Sequence, residues 1–580
     1  MRALAQLARG TIRVVEAIYV LIRCTTMLAF LLLLGYGAYS LLHRPDLPGR
    51  MVLNLSLPAT LSEATGWSGQ LQALLGGGPT LWDVAEALRR AAADPHVTAV
   101  VADIGPGPFT LAQTQELSQA LAVVRAAGKP SYAFADSFGE LLDGTSAYHL
   151  ASAFDRIWLQ PSGIVGLTGI GTVEPMYGDL LRRFGITAEF SARERYKTVA
   201  NPWMHGQATP AQTEMMQDLV HDLTDQVTEQ VAERRHLAPQ TVHQLLDQAP
   251  FTDREAQQQG LVDRLGYRDE LVAELAGMGE IVPVQGYVAS TGRAPAADAT
   301  QVALIVVEGQ LARGDGQDGV LGGGLAADTI AGQIQAAADQ PAIKAIVLRV
   351  NSPGGNPSAA ETIRRAVVAA RAKGKPVVVS MGAVAGSGGY WLAVDADAIV
   401  AEPATLTGSI GVVGGKLSFA GLARQLGVGL ALTGGSEHAT MASPLTSFSD
   451  GEAARRDALL DATYQDFLAR VAAGRKLEPA VVREVAQGRV WTGRQALERG
   501  LVDRVGGLWT ALAAVQDCLD LPATAALQLV HPTTVSGGAG LLQHVLGVSV
   551  QAVLPSLLAS VSAALRPELL TLLHGIELRG

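Results

Sequence analysis

Cysteine is nearly missing from this sequence: Cys24 and Cys518 are the only two in 580 residues. A disulfide framework is therefore excluded, and the absence of any CxxC or Cys/His cluster excludes a metal site of that kind. Positive charge is also scarce. Lys and Arg total 44 against 54 Asp and Glu, a net of −10, so electrostatics give nucleic-acid binding no support. Charged residues make up 17% and aromatic residues 5%, while 48% is hydrophobic and 64 residues are glycine. That composition is globular, and 580 residues are too many for one core.

One uncharged run does stand out. "CTTMLAFLLLLGYGAYSLL", residues 24–42, is nineteen residues long, about the length that spans a bilayer. Arg2, Arg9, Arg13 and Arg23 precede it, and only Arg44 and Arg50 follow closely. The charge asymmetry predicts a retained anchor, with residues 1–23 cytoplasmic and the remaining mass exported. "YGAYS" is a poor cleavage site, which argues against a removable signal peptide.

The rest is a duplication with a repeat of roughly 240 residues. "PHVTAVVADIGPGPF" (95–109) matches "PAIKAIVLRVNSPGG" (341–355), and "AAGKPSYAF" (126–134) matches "AKGKPVVVS" (372–380). "AYHLASAFDRIWLQPSGIVGLTGIG" (147–171) matches "GYWLAVDADAIVAEPATLTGSIGVV" (389–413), and "TDREAQQQGLVDRLG" (252–266) matches "TGRQALERGLVDRVG" (492–506). Each copy reads as α/β: short apolar runs bounded by Gly or Pro alternate with helical patterns such as "AAETIRRAVVAARAKG". The expected units are a first copy over 44–288, a linker over 289–301, a second copy over 302–520 and an apolar helical tail over 521–580. Pro555 and Pro567 interrupt that tail.

The copies differ where chemistry would sit. Ser387 lies among Gly386, Gly388 and Gly389 at a strand-to-helix junction, where a hydroxyl can be exposed. Its counterpart is Thr145. "VLRVNSPGGN" places Gly354 and Gly355 after a strand and before a helix, a turn whose amides can face a developing oxyanion. The first copy has Pro108 at the position of Gly354. No histidine lies within forty residues of Ser387. The reverse difference supplies a base: "SARERYKTVANPWM" (191–204) carries Lys197, whereas "GGSEHATMASPLTS" (434–447) has no lysine. A buried lysine with a lowered pKa can deprotonate a serine. Arg193, Glu194 and Arg195 read as a solvated charge cluster beside it.

Strand, "NSPGG", helix, "GKP", strand, "SGGYW" and "TLTGSIG", together with "YK-x-x-x-x-P-W", resemble the signal peptide peptidases, or protease IV, in their long duplicated form. The resemblance covers residues 20–520. It implies a ClpP/crotonase-like spiral domain in each copy, with Ser387 as nucleophile and Lys197 as general base. It further implies that Ser409 helps to hold the lysine and that backbone at Gly354, Gly355 and Gly388 forms the oxyanion hole. Gly386, where the family commonly has alanine, and "NPS" after the double glycine are departures that touch no catalytic group. The implied activity is a bacterial inner-membrane serine endopeptidase with a periplasmic catalytic part. Its substrates would be spent signal peptides and other unfolded or apolar peptides, and it would work as a homotetramer without cofactor, metal or nucleic acid. The alternatives are a catalytically decayed membrane scaffold and an acyl-CoA hydratase or isomerase on the crotonase scaffold.

Overall fold

The computed structural model describes residues 46–57, 61–63, 79–105, 107, 109–139, 144–291, 299–314 and 325–532. The expected anchor, residues 24–42, lies outside these, as do Pro108 and the tail from residue 533. Among the described residues no helix is long and apolar enough to cross a membrane.

The duplication is written in the strand order. In the first copy six strands run in the order Arg264–Leu265, Arg156–Leu159, Ser131–Ala135, Val97–Ile104, Met51–Leu57, Glu280–Pro283. In the second, Arg504–Val505, Ala398–Ala401, Val377–Gly386, Ile343–Ser352, Thr300–Glu308 and Leu527–Val530 occupy the same places. All these neighbours are parallel. The strands are nearly continuous apolar runs because both sheet faces are covered; "VVVS" at 377–380 is buried throughout. The helices match in length as well. Leu81–Ala93 and Ala327–Asp339 each have 13 residues, Leu111–Ala126 and Pro357–Ala372 each 16, and Pro210–Arg235 and Asp450–Arg475 each 26. The helix Pro357–Ala372 ends as the sequence suggests, with Lys373 at its C-cap and Gly374 at φ +75°. The second sheet takes its last strand from Leu527–Val530, beyond residue 520. That strand is four half-buried residues, too short to leave a periodic signal.

Each copy has its own core, and among the contacts that join them two lead toward the site. One is a buried charge cluster. Arg349, on the strand leading to "NSPGG", donates to Glu63 (2.8 Å) and Glu116 (2.7 Å) of the first copy and to Ser380 (2.9 Å) on the neighbouring strand. Glu402 is fully buried beside it, held by Gln119 Nε2 at 2.7 Å. Burial, with Glu116 adding to it, pushes the Glu402 carboxyl well above the usual carboxylate range. The other device is a shared two-stranded sheet: Thr187–Ala192 of the first copy runs antiparallel to Val413–Ser418 of the second, with Ala192 opposite Val413. This pairing carries the next residues of the first copy into the second.

Candidate active site

Ser387 ends the buried strand Val377–Gly386 and precedes the short helix Gly388–Trp391. Its backbone sits at φ 54°, ψ −117°, a region that a residue with a side chain occupies only when its surroundings enforce it. They do so here: Ser387 N–H donates to Gly408 O at 2.9 Å, and the Gly388 and Gly389 positions are packed against other backbone. A Cβ at Gly389 would lie 2.6 Å from Ser352 O, and one at Gly354 would lie 2.6 Å from Gly388 N and 2.9 Å from Ser387 Cβ. Glycine is what lets the "NSPGG" turn, at φ +100° for Gly354 and +149° for Gly355, lie against the serine.

Of the three glycine amides expected to face an oxyanion, that of Gly354 donates to Ser352 Oγ at 3.2 Å. Ser352 is fully buried and in turn donates to Gly309 O at 2.6 Å, which pins the turn to a neighbouring strand end. Among the described residues the Gly355 and Gly388 amides have no acceptor. A Cβ built at Gly388 would lie 3.2 Å from Gly355 N, so the two amides are neighbours.

Lys197 arrives from the other copy. After the shared sheet, Arg193 N–H donates to Val412 O (2.8 Å), Glu194 turns at φ 72°, and Tyr196 N–H donates to Gln487 O (3.1 Å). Lys197 packs on Gly488, where a Cβ would come within 2.5 Å of Lys197 N. Its Nζ lies 3.0 Å from Ser387 Oγ, 2.8 Å from Ser409 O and 2.9 Å from Ser409 Oγ. The residue is 6% exposed, and burial brings its pKa down to about 7. An amine free of its proton at neutral pH can accept one from a hydroxyl at that distance. Ser409 adopts φ 50°, and its N–H is held by Arg489 O at 2.7 Å.

The matched residue in the first copy, Thr145, is fully buried with its hydroxyl on Gly169 O at 2.9 Å. No histidine hydrogen-bonds to Ser387 among the described residues. The charge cluster before the lysine differs from its sequence reading. Arg193 is not solvated: it reaches Asp461, and its Nη2 donates to Asp457 O at 2.8 Å on the long helix of the second copy. Glu194 and Arg195 are exposed. Sequence reasoning passed over Ser352, Gly488 and Arg489. A signal existed for the last two, since the first copy has Gln248 and Ala249 at those places when the match at 252–266 is carried back four residues. Among the described residues no cluster of His, Cys, Asp or Glu could hold a metal ion.

A serine on a strained strand-to-helix elbow, with a buried amine beside it and free amides opposite, defines a serine hydrolase, and the comparisons with known proteins make it a serine peptidase. The Peptidase family S49 model matches residues 124–281 and 369–521, one segment in each copy. "Protease 4" of Salmonella typhi is 31% identical over 517 residues, covering 84% of this chain and 81% of that one. "Protease 4" of Haemophilus influenzae is 29% identical over 515 residues, covering 83% and 80%. A "Putative signal peptide peptidase SppA" of Enterococcus faecium is 32% identical over 202 residues, 35% of this chain and 59% of that one. The chain belongs to peptidase family S49. A solved ClpP1 point mutant from Listeria monocytogenes overlaps 36% of this chain and 94% of its own at 12% identity and a TM-score of 0.24.

Proposed function

We propose that this serine peptidase hydrolyses peptide bonds with Ser387 as nucleophile and Lys197 as general base. The observation that carries this is the 3.0 Å approach of an amine depleted of charge to a serine on an elbow. A neutral amine has two N–H donors and one lone pair. Ser409 O and Oγ take the donors, which leaves the lone pair for the Ser387 hydroxyl; Ser409 thereby orients the base. Ser387 Oγ attacks the scissile carbonyl carbon as its proton passes to Lys197. The carbonyl oxygen, now anionic, receives the Gly355 and Gly388 amides, while Gly354 supplies the close approach between turn and serine. The lysine ammonium then protonates the departing amine, and water repeats the sequence in reverse to release the acyl group.

The same reading gives the substrates as cleaved signal peptides and other unfolded or apolar peptides, on the strength of the relatives' names. Residues 24–42 anchor the chain in the inner membrane, with 1–23 cytoplasmic and the catalytic part periplasmic, as the arginine asymmetry supports. The two spiral domains, of the ClpP/crotonase kind, span 44–288 and 302–520, the second extended to Val530. The linker, expected over 289–301, is narrower, since the helix Val284–Thr291 precedes it and the strand Thr300–Glu308 follows it; the apolar tail comes after the second domain, and four copies assemble.

A fluorophosphonate probe tests the site. One adduct per chain is expected, on Ser387, with none on Thr145. Ser387→Ala is expected to lose both the adduct and peptide hydrolysis while keeping the wild-type melting temperature within about a degree, since a small residue replaces a small one. Hydrolysis by the alanine variant would refute the assignment.

A further inference from the structure

We propose that Arg489 is a positioning residue for Lys197, a fastener that holds the lysine of the first copy against Ser409 and Ser387 of the second. The inference rests on the Ser387/Lys197 reading above. Arg489 meets both sides of the site. Its carbonyl accepts the Ser409 N–H at 2.7 Å. Its guanidinium lies 4.6 Å from the Tyr196 ring centroid and donates to Glu214 Oε1 and Asp218 Oδ2, both at 2.9 Å, on the helix Pro210–Arg235 of the first copy. Tyr196 immediately precedes Lys197, is 4% exposed, and donates its hydroxyl to the same Glu214 carboxylate at 2.9 Å. Arg195 covers the ring as well, at 4.7 Å. One residue, through its carbonyl on one side and its guanidinium on the other, thus closes a loop of contacts from Ser409 through Glu214 and Tyr196 to the lysine.

The alternative is that Arg489 merely glues the copies together. Two observations speak against it. In the first copy Phe251–Thr252 pairs with Ile164–Val165 as Val490–Thr492 pairs with Leu406–Gly408, and Ala249 stands where Arg489 stands. The repeat fold therefore forms without an arginine there. Generic glue is provided by Arg494, which binds Asp222 (2.8 Å) and Glu229 (2.9 Å) farther along the same helix and touches neither Tyr196 nor Ser409.

The readout is the pH midpoint of kcat/KM, which follows the lysine. The charged groups around it are Arg193, Glu194 and Arg195 on its own loop, Glu214 and Asp218 on the long helix, Asp457 and Asp461 opposite Arg193, and Arg489 itself. None of them hydrogen-bonds to Nζ among the described residues, and burial alone lowers its pKa. Loosening Tyr196 admits water, which restores the ammonium.

Arg489→Ala is expected to raise the midpoint by roughly half to one unit. It should also lower the plateau kcat about tenfold, with KM within about twofold. Arg489→Lys, which keeps the charge and one ion pair, should recover part of the shift, and Arg494→Ala should leave midpoint and kcat at wild-type values. Glu214→Gln, at an exposed carboxylate, should move the midpoint the same way by a smaller amount, and it decides the matter if Arg489→Ala fails to fold. A wild-type midpoint in Arg489→Ala or in Glu214→Gln, or an equal shift in Arg494→Ala, would overturn the proposal. If Lys197→Met retains activity, the dyad itself is wrong; if it is inactive while Arg489→Ala behaves as wild type, only the fastener is.

Discussion

Lys197→Met is expected to lower kcat/KM for a peptide substrate by on the order of 10⁴-fold or more and to stabilise the fold at pH 6. The first effect follows from removing the proton acceptor. Lys197→Arg should be as inactive, because a guanidinium keeps its proton at every accessible pH. The second follows from linkage. The lysine has a folded-state pKa of about 7 and an unfolded value near ~10.4. Between these values the unfolded chain binds more protons than the folded one, so stability rises with pH. Below about pH 7 the fold bears the full cost of burying the ammonium, roughly 4–5 kcal/mol as an upper bound; above about pH 10.4 that cost is gone. Methionine avoids it, and gives back about 1–2 kcal/mol through the lost hydrogen bonds to Ser409. Urea melts at pH 6 and pH 9 should therefore show the variant more stable than wild type by about 2–3 kcal/mol at pH 6, with the gap shrinking at pH 9. A variant that is both active and no more stable would contradict the assignment.

Gly354→Ala is expected to cost about 10²–10³-fold in kcat. The added methyl would sit 2.6 Å from Gly388 N and 2.9 Å from Ser387 Cβ, so either the turn or the elbow must move. Both carry the geometry that a tetrahedral oxyanion needs. Part of any loss is backbone strain at φ +100°, about 1–3 kcal/mol of stability. Gly374→Ala separates the two effects. It has φ +75° but nothing within 4 Å of the added carbon, so it should lose stability and keep its rate. Equal kcat losses in the two variants would mean that the contact with Ser387 is irrelevant.

The site was legible in the sequence to the extent that duplication left differences. Ser387 against Thr145, and Lys197 against a matched stretch (434–447) with no lysine, are contrasts that a single chain displays. One helix end was legible too: Gly374, at φ +75°, follows the C-cap of the helix Pro357–Ala372, a local chemistry that sequence carries directly. What stayed hidden depends on partners far away along the chain. Pairing of Thr187–Ala192 with Val413–Ser418 joins a strand that alternates, "TAEFSA", to one that does not, "VGGKLS", and their register decides where Lys197 goes. Arg193 looked solvated because Asp457 and Asp461 are more than 260 residues away in sequence. Ser352 and Gly488 act through backbone contacts, and Arg489 through a tyrosine and a glutamate of the other copy. For Gly488 and Arg489 the only sequence signal is their contrast with Gln248 and Ala249 of the first copy.

The most direct test of the lysine as base is the pH dependence of fluorophosphonate capture by Ser387 in the intact protein. The rate constant is expected to rise from pH 5 and level off, with a midpoint near 7, and to be nearly lost at all pH values in Lys197→Met. A wild-type midpoint near 10, that of an ordinary lysine, or full capture in the methionine variant, would contradict the account.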